Sequence, residues 1–175
     1  MRWLKPLCFS MMFVSPLGLA DESVDTSQIE LATRIGAQCS GFYDGLFALM
    51  QNLEGNKQSI MQDELKTALP NLDKRMVFRD STASIVLTRQ FIALLNNAVK
   101  PEKPFTLEDY REDYVQFRRE SMAWSKGEVE IQFFADMHKQ CQHVQSISEK
   151  NGSLTDAMLD KAVEKRAHAL GVTLD

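Results

Sequence analysis

The 175-residue sequence has few of the residues that mark fibrous or disordered chains, with only five prolines and eight glycines. This composition excludes collagen-like repeats and low-complexity linkers. Outside the N-terminus, no apolar run approaches the roughly 18 residues that a membrane-spanning helix requires. An excess of positive charge is also missing, since the formal net charge is −4. Nucleic acids and anionic membranes are therefore not expected as main partners, and the length fits one globular domain.

The N-terminus has the three regions of a cleavable secretory signal. Arg2 and Lys5 supply positive charge, an apolar stretch extends to Leu17, and the small residues Gly18 and Ala20 precede an acidic segment. The alternative interpretation is an uncleaved transmembrane anchor, but the apolar stretch is too short to span a bilayer. We therefore predict cleavage directly after Ala20.

Cleavage at that point divides the chain into a signal peptide, residues 1–20, and a single mature helical domain, residues 21–175. The mature protein is then expected to be periplasmic or secreted and to retain no membrane span. Because Cys8 lies within the predicted signal peptide, only Cys39 and Cys141 remain in the mature chain. An isolated cysteine pair in an oxidising compartment most often forms one structural disulfide.

The mature sequence shows the period of α-helices throughout, because its apolar residues recur three and four positions apart. No segment has the alternation of a half-exposed strand. We predict an all-α helical bundle of five to seven helices with one long-range disulfide. This bond would join Cys39 in the first helix to Cys141 in the penultimate helix, since both lie on the apolar faces of their helices.

The first predicted helix runs from Ser27 to about Gly55. Ser27 and Glu30 form a capping-box pattern at its start. Its apolar residues form a single stripe with alternating steps of three and four, which is typical of a helix that faces one partner. Glycines within this helix favour close approach of a neighbouring backbone.

Two later segments carry further predictions about the fold. The segment from Ser84 to Val99 is apolar almost all round, which predicts the most buried helix of the domain. Asp80-Ser81-Thr82, just before it, is a good capping sequence and indicates a break in the helix. Thr106 and Asp109 form a second capping-box pattern, which predicts another helix start.

One short segment resembles a known family. Cys39-Ser40-Gly41-Phe42-Tyr43-Asp44-Gly45 is similar to the Cys-x-Gly-aromatic-x-x-Gly start of small periplasmic immunity proteins of secreted bacterial toxins. The resemblance covers seven of the 175 residues and by itself transfers no function. An immunity protein is one form of the binding function considered for this chain.

A helical haem or metal carrier is the alternative function. His138 and Cys141 are three residues apart and share a helix face, so together with Cys39 they would offer sulfur and nitrogen ligands to zinc or copper. Met and His side chains would suit a b-type haem, whereas the lack of Cys-x-x-Cys-His excludes c-type attachment. The favoured prediction is no cofactor, because exported cysteine pairs are far more often oxidised than metallated.

No catalytic set can be named from the sequence, which has neither a Gly-rich phosphate loop after a strand nor a nucleophile with an identifiable base. We therefore predict a non-enzymatic protein that binds another protein, as an inhibitor, an immunity protein or an accessory factor. The candidate contact residues are acidic and aromatic side chains in one segment. They are Asp109, Tyr110, Asp113 and Tyr114.

Overall fold

The computed structural model describes residues 25–56, 59–69, 73–123 and 130–174, so the predicted signal peptide, residues 1–20, lies outside the described residues. The described chain contains six α-helices and no strand, which confirms the predicted all-α class and helix number. The helices are α1 (Thr26–Asn56), α2 (Ser59–Ala68), α3 (Lys74–Val99), α4 (Arg111–Ala123), α5 (Ile131–Lys150) and α6 (Asp156–Leu170), and one 3₁₀ turn (Leu107–Tyr110) precedes α4.

Helix α1 occupies the centre of the bundle. It packs against α2, α3, α4 and α5, and between Ala32 and Leu49 only Arg34 is exposed. The sequence predicts one apolar stripe facing one partner, but the structure covers this helix on all sides. The reason is that many residues outside the stripe are small, so neighbouring helices approach those faces as well.

Glycines set the spacing between α1 and α4. A Cβ atom built on Gly41 would lie 2.1 Å from the backbone oxygen of Tyr114, and one built on Gly45 would lie 2.5 Å from the backbone oxygen of Arg118. Neither position has room for a side chain. The order of these contacts also means that α1 and α4 run parallel. The expected close approach of a neighbouring backbone is confirmed at both glycines.

Replacing Gly41 by alanine is expected to destabilise the protein by about 2 kcal/mol or more, because the added methyl group overpacks a backbone contact. Within a helix, replacing glycine by alanine normally stabilises the protein by up to about 1 kcal/mol. A destabilising effect would therefore point to the close contact. Gly36→Ala is the milder comparison, since its Cβ would meet the side-chain hydroxyl of Thr88 at 2.5 Å. Urea unfolding measures both variants. A Gly41→Ala protein as stable as wild type would contradict the direct contact of α1 with α4.

Helix α3 is continuous, so the predicted break at Asp80-Ser81-Thr82 is wrong. All three residues are buried, and their polar side chains bond within α3 or to other helices instead of capping a helix end. The Thr82 hydroxyl, for example, donates to the backbone oxygen of Phe78 at 2.8 Å. The N-cap of α3 is Asp73, whose carboxylate accepts from the backbone N–H of Met76.

The prediction that Ser84–Val99 is the most buried helix is also wrong. Leu94 is 53% exposed, and the buried residues of α3 concentrate between positions 77 and 88. Gln90 donates to the backbone oxygen of Ser153 in the loop that precedes α6, and Phe91 still packs against the cluster between α3 and α6. Beyond Phe91, α3 is buried mainly on the side that faces α1 and Tyr110.

The starts of two helices test the predicted caps. The capping box of Thr106 and Asp109 is confirmed, with both reciprocal hydrogen bonds present. The box of Ser27 and Glu30 is wrong, because Asp25 caps α1 and its carboxylate accepts from the backbone N–H of Ser27 at 3.0 Å. A carboxylate one residue ahead of the helix therefore takes the role assigned to the serine.

The largest part of the core surrounds α1 and contains aromatic rings from α1, α3 and α5. Phe42 and Phe134 are fully buried in it, with their ring centroids 5.8 Å apart. A smaller cluster lies between α3 and α6 and includes Leu87 and Leu159. None of the helices in the described ranges has the length and hydropathy needed to cross a bilayer.

Candidate functional site

A disulfide bond joins α1 to α5 inside the core. Cys39 and Cys141 are bonded, their Cα atoms are 5.6 Å apart, and both residues are almost completely buried. The predicted pairing is confirmed. Because its sulfur is already bonded, Cys141 offers no thiolate to a metal in this state.

The segment Cys39–Gly45, which carries the resemblance to immunity proteins, lies where α1 meets α3, α4 and α5. Its cysteine forms the disulfide, and its two glycines are the positions at which α4 contacts α1. Its remaining polar residues include Tyr43 and Asp44, which belong to two separate polar clusters. Every distinctive residue of the segment therefore has a packing or hydrogen-bonding role inside the bundle.

Asp44 is the centre of the first polar cluster, which also contains Ser81, Tyr114 and Arg166 and is called the Asp44 cluster. Arg166 Nη2 donates to Asp44 Oδ1 at 2.6 Å, and the Ser81 hydroxyl donates to the same oxygen. The Tyr114 hydroxyl donates to Asp44 Oδ2 at 2.9 Å. One carboxylate thus bonds to side chains from α3, α4 and α6.

The Asp44 cluster is shielded from solvent. The side chains of Asp44 and Arg166 are only 16% and 18% exposed. The Arg166 guanidinium also donates to two hydroxyl groups of α3 and lies 4.8 Å from the centroid of the Phe78 ring. Burial, followed by the charge of Asp44, raises the pKa of Tyr114 to about 12. The phenol therefore stays protonated and keeps donating to the carboxylate.

Tyr43 belongs to the second polar cluster, which also contains Asp80, His138, Gln142 and Gln145 and is called the Asp80 cluster. The Tyr43 hydroxyl and His138 Nδ1 form a hydrogen bond of 2.9 Å. Gln142 Nε2 donates to Asp80 Oδ2 at 2.8 Å, and Gln145 Nε2 donates to the Asp80 backbone oxygen at 3.0 Å. This cluster joins α1, α3 and α5 close to the disulfide.

Burial shifts the protonation of three groups in the Asp80 cluster. It raises the pKa of Asp80 to about 7, although the positive charge of Arg79 acts in the opposite direction. Burial also raises the pKa of Tyr43 far above its usual range and lowers the pKa of His138. Near neutral pH, the phenol and the imidazole are therefore uncharged, and Asp80 is the member that titrates.

The two clusters offer little chemistry beyond hydrogen bonding and proton binding. In the part of the chain that the structure describes, no three His, Cys, Asp or Glu side chains are grouped to hold a metal ion. The ligands of the metal-carrier alternative are both engaged inside the protein, Cys141 with Cys39 and His138 with Tyr43. The geometry shows Asp80 as a buried carboxylate that accepts a hydrogen bond from a neutral amide.

The four predicted contact residues all have partners within the chain. Asp109 caps the 3₁₀ turn, and Asp113 accepts a hydrogen bond from Arg34 at 3.1 Å. Tyr110 is only 4% exposed, and Tyr114 is bonded within the Asp44 cluster. Tyr110 thus packs inside the protein and Tyr114 is half-buried, so among the four only Asp109 lies fully at the surface.

A surface that the sequence analysis missed lies on the outer side of α4. Leu107, Arg111, Val115 and Arg119 recur every four residues and form what we call the α4 face. Its two apolar residues are 39% and 37% exposed. An open depression of about 520 Å³ is lined by three residues of the α4 face, by the acidic Glu112 and by the polar Gln116. The helical period contains this stripe, but the period alone does not show which side of the helix faces solvent.

Comparison of the chain with protein-family models, with curated proteins and with solved structures finds no match.

Proposed function

We propose that this protein is an exported, non-enzymatic binding protein that acts on another protein, as an inhibitor, an immunity protein or an accessory factor. The observation that carries the proposal is the α4 face, where arginines alternate with exposed apolar side chains on a helix fixed to the bundle. Arginine and apolar side chains are typical of the centres of protein interfaces. The occupant is therefore a protein surface rather than a small molecule.

The charge of the α4 face specifies the kind of partner. Among the described residues, Arg111 pairs with Glu108, one turn away, through an exposed contact of 3.2 Å. Within the same ranges, Arg119 takes part in no ion pair. Unpaired arginines favour an acidic partner surface, since they form bidentate bonds with carboxylates. This reverses the charge of the contact expected from Asp109 and Asp113.

The close attachment of α4 to α1 supports a binding role. Close backbone contact at Gly41 and Gly45, together with the Tyr114 bond to Asp44, fixes this helix against α1. A rigid helix loses little conformational freedom when it binds, which favours affinity. Export is supported by the buried disulfide and by the N-terminal signal pattern, because such bonds persist in oxidising compartments.

Charge reversal on the α4 face is expected to weaken binding. Arg119→Glu should reduce the association rate with the partner by tenfold or more at low salt, whereas Lys139→Glu, an equally exposed change on α5, should leave it nearly unchanged. The partner is first identified by placing a photo-crosslinking residue at position 115, with position 139 as the control, in the exported fraction of the source cells.

Two results would contradict the proposed site. The first is crosslinking that is equally strong from positions 115 and 139, which indicates contact without a preferred face. The second is a partner whose association is slowed equally by Arg119→Glu and by Lys139→Glu. Two results together support both the binding function and the α4 face as its site. They are crosslinking from position 115 alone and an association rate that Arg119→Glu lowers but Lys139→Glu does not.

A further inference from the structure

The protein contains two buried aspartates in neighbouring positions of the α1–α3 contact, and their electrostatic surroundings differ. Asp44 follows Tyr43 on α1 and bonds Ser81, which follows Asp80 on α3. Asp44 has a counter-ion, because the Arg166 guanidinium donates to its carboxylate at 2.6 Å. The Asp80 carboxylate instead accepts from a neutral amide and is only 9% exposed as a residue.

Arg79 forms no direct ion pair with Asp80. Arg79 is adjacent in sequence, but its two guanidinium nitrogens bond to Asp156 and Asp160 on α6. Glu149 on α5 adds negative charge near Asp80. The titratable and polar groups that face this carboxyl from the three packed helices are Tyr43 from α1, Arg79 from α3, and His138, Gln142, Gln145 and Glu149 from α5.

We propose that the Asp80 carboxyl is a proton-binding site that makes the attachment of α5 to α1 and α3 sensitive to pH. With the proton bound, the buried carboxyl is neutral and compatible with its enclosed position. Loss of the proton leaves a charge there without a bonded cation, which favours an opened arrangement in which water reaches the carboxylate. The disulfide limits this opening, because Cys141 keeps the middle of α5 attached to α1.

The direction of the pH effect follows from linkage. The pKa of Asp80 is raised from the ordinary 3.8 to about 7 in the folded protein. A raised pKa stabilises the fold fully below the ordinary value, and the stabilisation is lost as pH rises through about 7. These two values predict that the contribution of Asp80 to the folding equilibrium constant falls about fourfold between pH 6.5 and pH 8.5.

His138 titrates with the opposite sign and must be separated from Asp80. Burial lowers its pKa, so its stabilisation is present above the ordinary value of 6.5 and is lost as pH falls through the lowered value. Between pH 6.5 and pH 8.5 its contribution raises the folding constant and so partly offsets that of Asp80. Comparing the wild type with Asp80→Asn removes the remaining contribution of His138, which is present in both proteins.

The test measures denaturant unfolding at pH 6.5 and pH 8.5 with the disulfide intact. The folding constant of the wild type, taken relative to that of Asp80→Asn, is expected to fall about fourfold between the two pH values, while Asp80→Asn itself, which keeps an acceptor for Gln142, should show no fall. Asp44→Asn is the matched control, and it should be less stable than wild type at both pH values but keep the wild-type pH dependence. Equal pH dependence in wild type and Asp80→Asn would overturn the proposal.

Two measurements on the wild-type protein complete the test even if a variant does not fold. Carboxyl ¹³C NMR should show Asp80 titrating near pH 7, and a midpoint below pH 5 would overturn the proposal. Hydrogen exchange, corrected for the intrinsic pH dependence of exchange, should show residues 142–149 of α5 opening more at pH 8.5 than at pH 6.5. Opening that increases equally in all helices would contradict the link to α5.

Discussion

Replacing both Cys39 and Cys141 by alanine is expected to lower the free energy of unfolding by about 4 to 5 kcal/mol. The two cysteines are 102 residues apart, so the bond restricts a large loop in the unfolded chain. Both residues are almost fully buried in the central cluster. A loss of this size is a large fraction of the stability of an ordinary domain.

Guanidinium unfolding of three samples separates the cross-link from the packing of its sulfur atoms. The samples are the oxidised wild type, the wild type reduced by a thiol reagent, and the double alanine variant. Reduction alone should account for most of the loss, because it removes the cross-link and keeps both side chains. A loss below about 1 kcal/mol in both altered samples would show that the loop constraint contributes little.

Replacing Arg166 by methionine is expected to cost about 3 kcal/mol, because it leaves the Asp44 carboxylate buried without its cation. Methionine keeps much of the length of the arginine side chain, so the loss reports mainly on charge and hydrogen bonds. The double variant Asp44→Asn with Arg166→Met should recover more than half of the loss. In that protein neither partner is left as an isolated charge.

Arg79→Met is the control for the Arg166 variant. Arg79 also forms two ion pairs across helices, but its partners Asp156 and Asp160 are 91% and 69% exposed. Exposed pairs contribute about 0 to 1 kcal/mol, so this change should have a small effect. Urea unfolding compares the variants directly. Equal losses for Arg79→Met and Arg166→Met would contradict the distinction between the buried and the exposed pair.

Features that depend on local pattern or on counting could be predicted from the sequence. The helical period predicts five to seven helices, of which the described chain has six, and the pair of cysteines outside the predicted signal peptide predicts the disulfide. The capping box of Thr106 and Asp109 follows from the spacing of two residues. The close approach at Gly41 and Gly45 follows from the absence of side chains, although the sequence does not identify α4 as the neighbour.

Features that depend on distant partners could not be predicted. Asp44 and Arg166 are 122 residues apart, and neither lies in a pattern that indicates the other. The same problem affects Asp80-Ser81-Thr82, which has the composition of a cap but lies inside a helix because its polar side chains find partners there. Local propensity favours a break, and the tertiary hydrogen bonds outweigh it.

The candidate contact surface shows the same limit. Tyr110 and Tyr114 suit an interface as residue types, but their burial depends on how α4 packs against α1. Their phase on the helix places them inward and leaves Val115 and Arg119 outward. A periodic pattern gives the relative phase of residues on one helix, while the choice of the inward side needs knowledge of the neighbour.

The central position of α1 has a consequence for the kinetics of folding. The helices that enclose α1 all follow it in the chain, and its contacts reach residues as far away as Arg166. Helical proteins usually fold fast because most of their contacts are local, whereas distant contacts require large loops to close first. This protein is therefore expected to fold more slowly than helical bundles of similar length whose neighbouring helices are consecutive in the chain. Helix α1 therefore acquires its complete set of neighbours only after α6 has been synthesised.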